Sequence, residues 1–172
     1  MAKKTSYNKI IYSYNIMTTK YITYAKTSKR KTIRIIKRGE NHMVALTKLV
    51  IPKFLEMVNT IKIYHWKTSS YSTHKATDQL FADLNSKTDE FVEVMLGKSE
   101  INRDKALNFT NVKIKSFSNN VACKKQIEGY KSFLIGLPSN KSFNSVINVD
   151  LLAIRDEIVA LLNQFLYLLT LK

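Results

Sequence analysis

The chain has 172 residues, 45% of them hydrophobic, with 28 Lys and Arg against 13 Asp and Glu and a formal net charge of +15. That length suits one core-bearing domain, and four Gly with two Pro favour long helices over a turn-rich β fold. A single cysteine excludes an internal disulfide and fits a reducing compartment, and the apolar run Ile158–Leu171 is short and broken by Asn163 and Gln164, so a soluble, intracellular protein without a membrane partner is expected.

Residues 1–42 read as a basic, tyrosine-rich N-terminal extension. They hold 11 of the 28 cations, one acid (Glu40), and five of the nine tyrosines: Tyr7, Tyr12, Tyr14, Tyr21 and Tyr24. The cations include Lys3, Lys4, Lys29, Arg30, Lys31, Arg34, Lys37 and Arg38. Such a segment neutralises phosphates while its tyrosines stack on bases or pack on a partner. The plainer reading is a solvated arm or an acid-poor targeting segment. Nucleic acid is the preferred partner for these eight residues, and β pairing at Ile10–Tyr12 and Ile33–Ile36 stays open.

Residues 43–172 read as helical. Leu46, Leu49, Val50, Phe54, Met57, Val58, Ile61 and Tyr64 recur at three- and four-residue steps over 43–66. Pro52 is expected to bend that helix or delay its start. After a Ser- and Thr-rich link, Ser72 or Thr73 is expected to cap a second helix over 73–96, stopped by Gly97. Its core stripe is Leu80, Leu84, Thr88, Phe91 and Met95. His74, Asp78, Asn85, Asp89 and Glu93 lie about a third of a turn away. Residues 98–118 are a long polar connection with at most a short helix. A third helix over 119–135 is expected to bury Val121, Ile127, Tyr130 and Leu134, with Cys123 as a small core residue. Asn148 or Asp150 opens a fourth helix to about residue 170 with a wide apolar face, including Leu151, Ile154, Ile158 and Phe165. Asp156 and Glu157 read as a cap or ion pairs near its start, or less simply as a second acidic site. The predicted architecture is all-α, an antiparallel four-helix bundle with a long middle connection.

Imidazole with carboxylate is the ligand set preferred by iron and its divalent neighbours. His65 closes the first helix, and His74, Asp78, Asp89 and Glu93 follow on the second at steps of 4, 11 and 4. Asp78 and Asp89 are thus about 16 Å apart along one axis, whereas metal–ligand bonds are about 2 Å long. One ion cannot be held by both pairs from one helix. Either the stripe is an ordinary solvated face, or two copies of the helix cross antiparallel near Asp83 and Leu84. In the second case His74 and Asp78 face Asp89 and Glu93 of the other protomer, twice per isologous dimer.

His65-Trp66, a short link, His74-xxx-Asp78 and Asp89-xxx-Glu93 resemble the Dps family, the mini-ferritins that protect DNA in starved bacteria. The resemblance implies a ferritin-like bundle, a homodimer or higher homo-oligomer, and an iron centre between two-fold-related subunits. His65, His74 and Asp78 would come from one chain, Asp89 and Glu93 from its partner, with Trp66 a nearby redox-active ring. The chain is also similar to a family of uncharacterised proteins from large DNA viruses, in Tyr64-His65-Trp66, His74-Lys75-Ala76-Thr77-Asp78, Ile154–Glu157 and Asn163–Leu171. Two functions are therefore expected. One is a Dps-like protective protein, nucleoid-associated, that oxidises Fe(II) with peroxide or oxygen. The alternative is a non-catalytic structural or DNA-packaging protein of a virion on the same bundle.

Overall fold

A computed structural model of the chain describes residues 29–31, 42–98, 102–143 and 147–171. The chain divides into two units, Met1–Gly39 and Glu40–Lys172. In the first, Lys29, Arg30 and Lys31 are helical and exposed. Lys3, Lys4, Arg34, Lys37 and Arg38, with the pairing segments Ile10–Tyr12 and Ile33–Ile36, lie outside the described residues.

Every regular element among the described residues of the second unit is a helix. Residues 42–67 form α1, followed by α2 (Tyr71–Gly97), α3 (Arg103–Ala106), α4 (Asn120–Gly136) with a 3-10 turn at Leu137–Ser139, and α5 (Val149–Leu168). No helix among them is long and apolar enough to cross a membrane.

The apolar periodicity sets what each helix buries. In α1, Leu46, Val50, Phe54, Met57, Ile61 and Tyr64 are buried. Pro52 does not delay this helix, because residues 42–51 are already helical. The amide missing at Pro52 costs one intrahelical bond, and the buried neighbours Val50, Ile51 and Phe54 hold the turn in place. In α2 the stripe Leu80, Leu84, Thr88, Phe91 and Met95 is buried as expected. The cap is Ser70 rather than Ser72 or Thr73: its hydroxyl accepts from the Thr73 amide at 3.3 Å, and Thr73 itself turns inward. Gly97 is the last helical residue and has no left-handed backbone.

In α4, capped by Asn119, the buried set is Cys123, Ile127, Tyr130 and Leu134. Val121 corrects the sequence reading, being 78% exposed. It stands two residues before Cys123, about 200° around the helix, and so points away from the stripe. Asn148 precedes α5 without a side-chain capping bond. Asp156 sits 3.0 Å from Arg155 Nε and Glu157 2.5 Å from Lys87 Nζ, so both carboxylates are in ion pairs.

Side-chain contacts fix the directions. Phe54 meets Phe91 edge-on and His65 stacks on His74, so α1 and α2 run antiparallel. Lys87–Glu157 and Lys98–Asp150 do the same for α2 and α5. Tyr64 with Asn120, and Tyr130 with Glu56, make α1 and α4 antiparallel. Arg155 reaches the Leu134 carbonyl, which places the start of α5 beside the end of α4. It follows that α2 and α4 point the same way, and the segment between them must return along their length. Phe117, packed on Tyr64, and buried Ala106 tie that return segment to the shared core.

Candidate metal centre

A three-residue link between α1 and α2 brings the last turn of one against the first turn of the other. Within it the Thr68 amide still bonds the Tyr64 carbonyl, and the Ser70 amide bonds the Thr68 hydroxyl. The consequence is a reciprocal lock. His65 Nδ1 lies 3.1 Å from the His74 carbonyl, and His74 Nδ1 lies 3.2 Å from the His65 carbonyl. The two rings stack with centroids 3.9 Å apart. A carbonyl only accepts, which assigns a hydrogen to Nδ1 of each ring, so that in the neutral imidazole the lone pair is at Nε2. A bond from the second ring nitrogen to a carbonyl is how metal-binding histidines are held in orientation. Thr77 supports it: its hydroxyl donates to the Thr73 and His74 carbonyls, and its oxygen stands 3.3 Å from His65 Nδ1.

Asp78 completes the local group. Its Oδ1 is 3.8 Å from His65 Nε2 and 3.9 Å from Lys62 Nζ. His65 is buried, while His74 and Asp78 are exposed. The Lys62 ammonium also lies over the Phe81 ring at 4.4 Å, which holds it near Asp78. Trp66 is 67% exposed beside it. Lys62 and Thr77 were not singled out from sequence. Each stands three residues from one of the histidines, on a neighbouring helical position, and that spacing is the signal that could have found them.

The structure therefore brings together His65, His74 and Asp78 and leaves Asp89 and Glu93 apart. Both of the latter are exposed further along α2. Asp89 borders a groove of about 290 Å³ between α1 and α2, with Asn59, Asn85, Leu55 and Phe81 in its walls. Among the described residues no three His, Cys, Asp or Glu side chains stand close enough to hold an ion. Adjacent donors around an ion with bonds of about 2.1 Å are about 3–3.5 Å apart, slightly less than the His65–Asp78 separation. The donor chemistry fits a divalent cation, but one protomer supplies only part of a coordination shell.

A second polar group lies between α1 and α4. Glu56 is buried, with Lys53 Nζ at 2.7 Å, the Tyr130 hydroxyl at 3.3 Å and Lys115 Nζ at 3.5 Å. Burial pushes its carboxyl up, but the bonds and charges of Lys53, Lys115 and Tyr130 outweigh that and hold it below the ordinary value. Burial first, and then the neighbouring carboxylate, raise the Tyr130 hydroxyl. Already neutralised by two ammonium groups, Glu56 is an anchor rather than a cation site. Lys115 also donates its amide to Thr60 Oγ1 at 3.0 Å, which fastens the return segment to α1.

No curated protein and no solved structure matches the chain. Residues 65–169 match a family model, a span that starts at His65 and includes His74, Asp78, Asp89 and Glu93. The chain belongs to this family of unknown function, DUF5856.

Proposed function

We propose that the protein is a Dps-like, metal-binding protein on a ferritin-like antiparallel four-helix bundle, which oxidises Fe(II) and associates with nucleic acid as a protective protein. The observation that carries this reading is the reciprocal His65–His74 lock, which uses Nδ1 of both rings, with His65 Nε2 3.8 Å from the Asp78 carboxylate. The antiparallel helix order with a long return between α2 and α4 supports the ferritin-like part.

In this reading iron is the substrate. His65, His74 and Asp78 bind it on one side, and Asp89 and Glu93 of the partner subunit close the other, so a homodimer or higher homo-oligomer is required. Lys62 neutralises Asp78 before iron arrives and is displaced by it. Two Fe(II) give two electrons to one hydrogen peroxide, which takes up two protons and leaves as two waters. Oxygen is the alternative acceptor. Binding needs neutral imidazoles and ionised carboxylates, so it weakens as the pH falls. The basic arm, with Lys3, Lys4, Lys29, Arg30, Lys31, Arg34, Lys37 and Arg38, supplies contacts to phosphate.

An anaerobic Fe(II) titration followed by peroxide tests the reading. Wild-type protein is expected to bind and oxidise iron stoichiometrically, and Asp78→Ala with Asp89→Ala to lose both. Wild-type protein that does neither ends it. A second reading, a non-catalytic packaging or virion protein on the same bundle, is favoured by the incomplete ligand shell within one protomer and by the net charge of +15. It expects DNA binding that survives alanine at all five ligand positions and fails when residues 1–42 are deleted.

A further inference from the structure

We infer that the folded unit carries a nucleic-acid surface of its own, separate from the arm, formed by the return segment 102–119 with Lys67 and Lys125 beside it. The inference deepens the nucleic-acid half of the proposed function and rests on it for the class of partner, but not on iron chemistry.

Charge is sorted between the two sides of the second unit. Helices α2 and α5, in contact with each other, hold eight carboxylates and three cations. Helices α1 and α4 with residues 102–119 hold eleven cations and three carboxylates. Of those three carboxylates, Glu56 is buried under Lys53 and Lys115, and Glu128 is held by Lys131 at 2.9 Å. Among the described residues of this side, only Asp104 is left to oppose the exposed cations. From Lys105 to Ile127 there is no carboxylate at all.

Seven exposed cations stand on this side: Lys48, Lys67, Arg103, Lys105, Lys113, Lys115 and Lys125. Except for Lys115, none makes an ion pair among the described residues. Contacts place several of them together. Lys67 Nζ donates to Ser116 Oγ at 2.8 Å, and Lys115 Nζ to Gln126 Oε1 at 2.9 Å, next to Lys125 on α4. Exposed Asn111, Ser116 and Ser118 add uncharged donors of the kind that bind phosphate oxygens. Unpaired ammonium groups interleaved with amides and hydroxyls suit a phosphate backbone. A membrane surface would require a continuous apolar face beneath the charges, whereas the segment exposes isolated Leu107 and Ile114. The acidic α2–α5 side repels the same phosphates, so the duplex lies along one side of the molecule.

The test uses the full chain and a fluorescently labelled duplex of about 30 base pairs, with binding followed by anisotropy across a salt series. Each phosphate contact contributes about 0.9 to the slope of log K against log salt. The variant K67Q/K105Q/K113Q/K125Q is expected to lose about 3–4 from that slope and bind more than tenfold more weakly at about 0.1 M salt, while its iron oxidation matches wild type. If the fourfold variant does not fold, Lys113→Gln and Lys125→Gln singly should each lower the slope by about 0.9. An unchanged slope overturns the inference and leaves binding to the arm alone. An unchanged slope with loss of binding to vesicles rich in anionic lipid, or with a change of oligomeric size, assigns the face to a membrane or to another copy and overturns it too. Wild-type protein that binds no DNA removes this inference together with the nucleic-acid half of the proposed function, whatever the iron result.

Discussion

Glu56→Gln probes how the return segment is anchored. Glutamine keeps the buried stem and an acceptor for the Tyr130 hydroxyl, so the substitution removes charge and little else. The lost interactions are the short bond to Lys53 at 2.7 Å and the longer contact with Lys115 at 3.5 Å. Both lysines reach solvent and recover water, which limits the loss. A charge-assisted hydrogen bond contributes about 1.5 kcal/mol and the longer contact a few tenths, so stability at pH 7 should fall by about 1.5–2 kcal/mol. The pH dependence gives an independent signature. The native carboxyl is held below its ordinary value of 4.5. Its contribution is therefore complete above that value and drains away as the pH drops through the lowered native value. Wild type and variant should differ fully at pH 7, and the gap should shrink steadily as the pH falls below the ordinary value of 4.5. Urea unfolding followed by circular dichroism at several pH values reads both effects. Equal stability at pH 7, or a gap of the same size at pH 3, refutes the assignment.

Other substitutions test the core, the cap and the thiol. Phe91→Ala removes a fully buried ring that meets Phe54 at 5.1 Å and should cost about 3–5 kcal/mol in urea unfolding; a loss under 1 kcal/mol would show that the α1–α2 contact is not load-sharing. Ser70→Ala takes away the cap of α2 and should cost about 0.5–1 kcal/mol, at the low end because the bond to the Thr73 amide is 3.3 Å; an unchanged unfolding midpoint counts against the cap. Burial pushes the Cys123 thiol up to about 12, so a disulfide reagent at pH 8 should label it only as fast as the protein unfolds, and prompt labelling of native protein contradicts that.

The readable parts of this sequence were those with a local period. The α2 stripe from Leu80 to Met95 repeats at helical spacing, and its burial follows from that spacing alone. The cap of α2 was ambiguous because Thr68, Ser69, Ser70, Ser72 and Thr73 are all capable. Ser70 takes the role since Thr73 is drawn into the core, a tertiary choice that no local pattern records. Val121 misled because apolar character at the first turn of α4 says nothing about which side of the helix it occupies. Glu56 was illegible for a different reason: its Tyr130 partner lies 74 residues away in the chain. At the candidate metal centre, spacing picked out the histidines and carboxylates but not the carbonyl lock, which depends on how the three-residue link sets two helix ends against each other.

Distance along α2 makes the partner subunit's contribution testable without any structure of the assembly. If Asp78 and Asp89 served one site in the same chain, proteins carrying Asp78→Ala and Asp89→Ala would stay defective however they were mixed. If the site spans a two-fold axis, a mixed dimer has one site lacking both carboxylates and one site with His65, His74 and Asp78 of one chain intact and Asp89 and Glu93 of the partner subunit intact. Random exchange of equal amounts makes half of the dimers mixed, each with one working site of two, so about a quarter of wild-type iron oxidation should return. Each variant alone should stay inactive before exchange. Native gels of differently tagged chains report whether exchange occurred. Full exchange with no recovered oxidation would leave the stripe of α2 as a solvated face and the packaging reading as the one the charge supports.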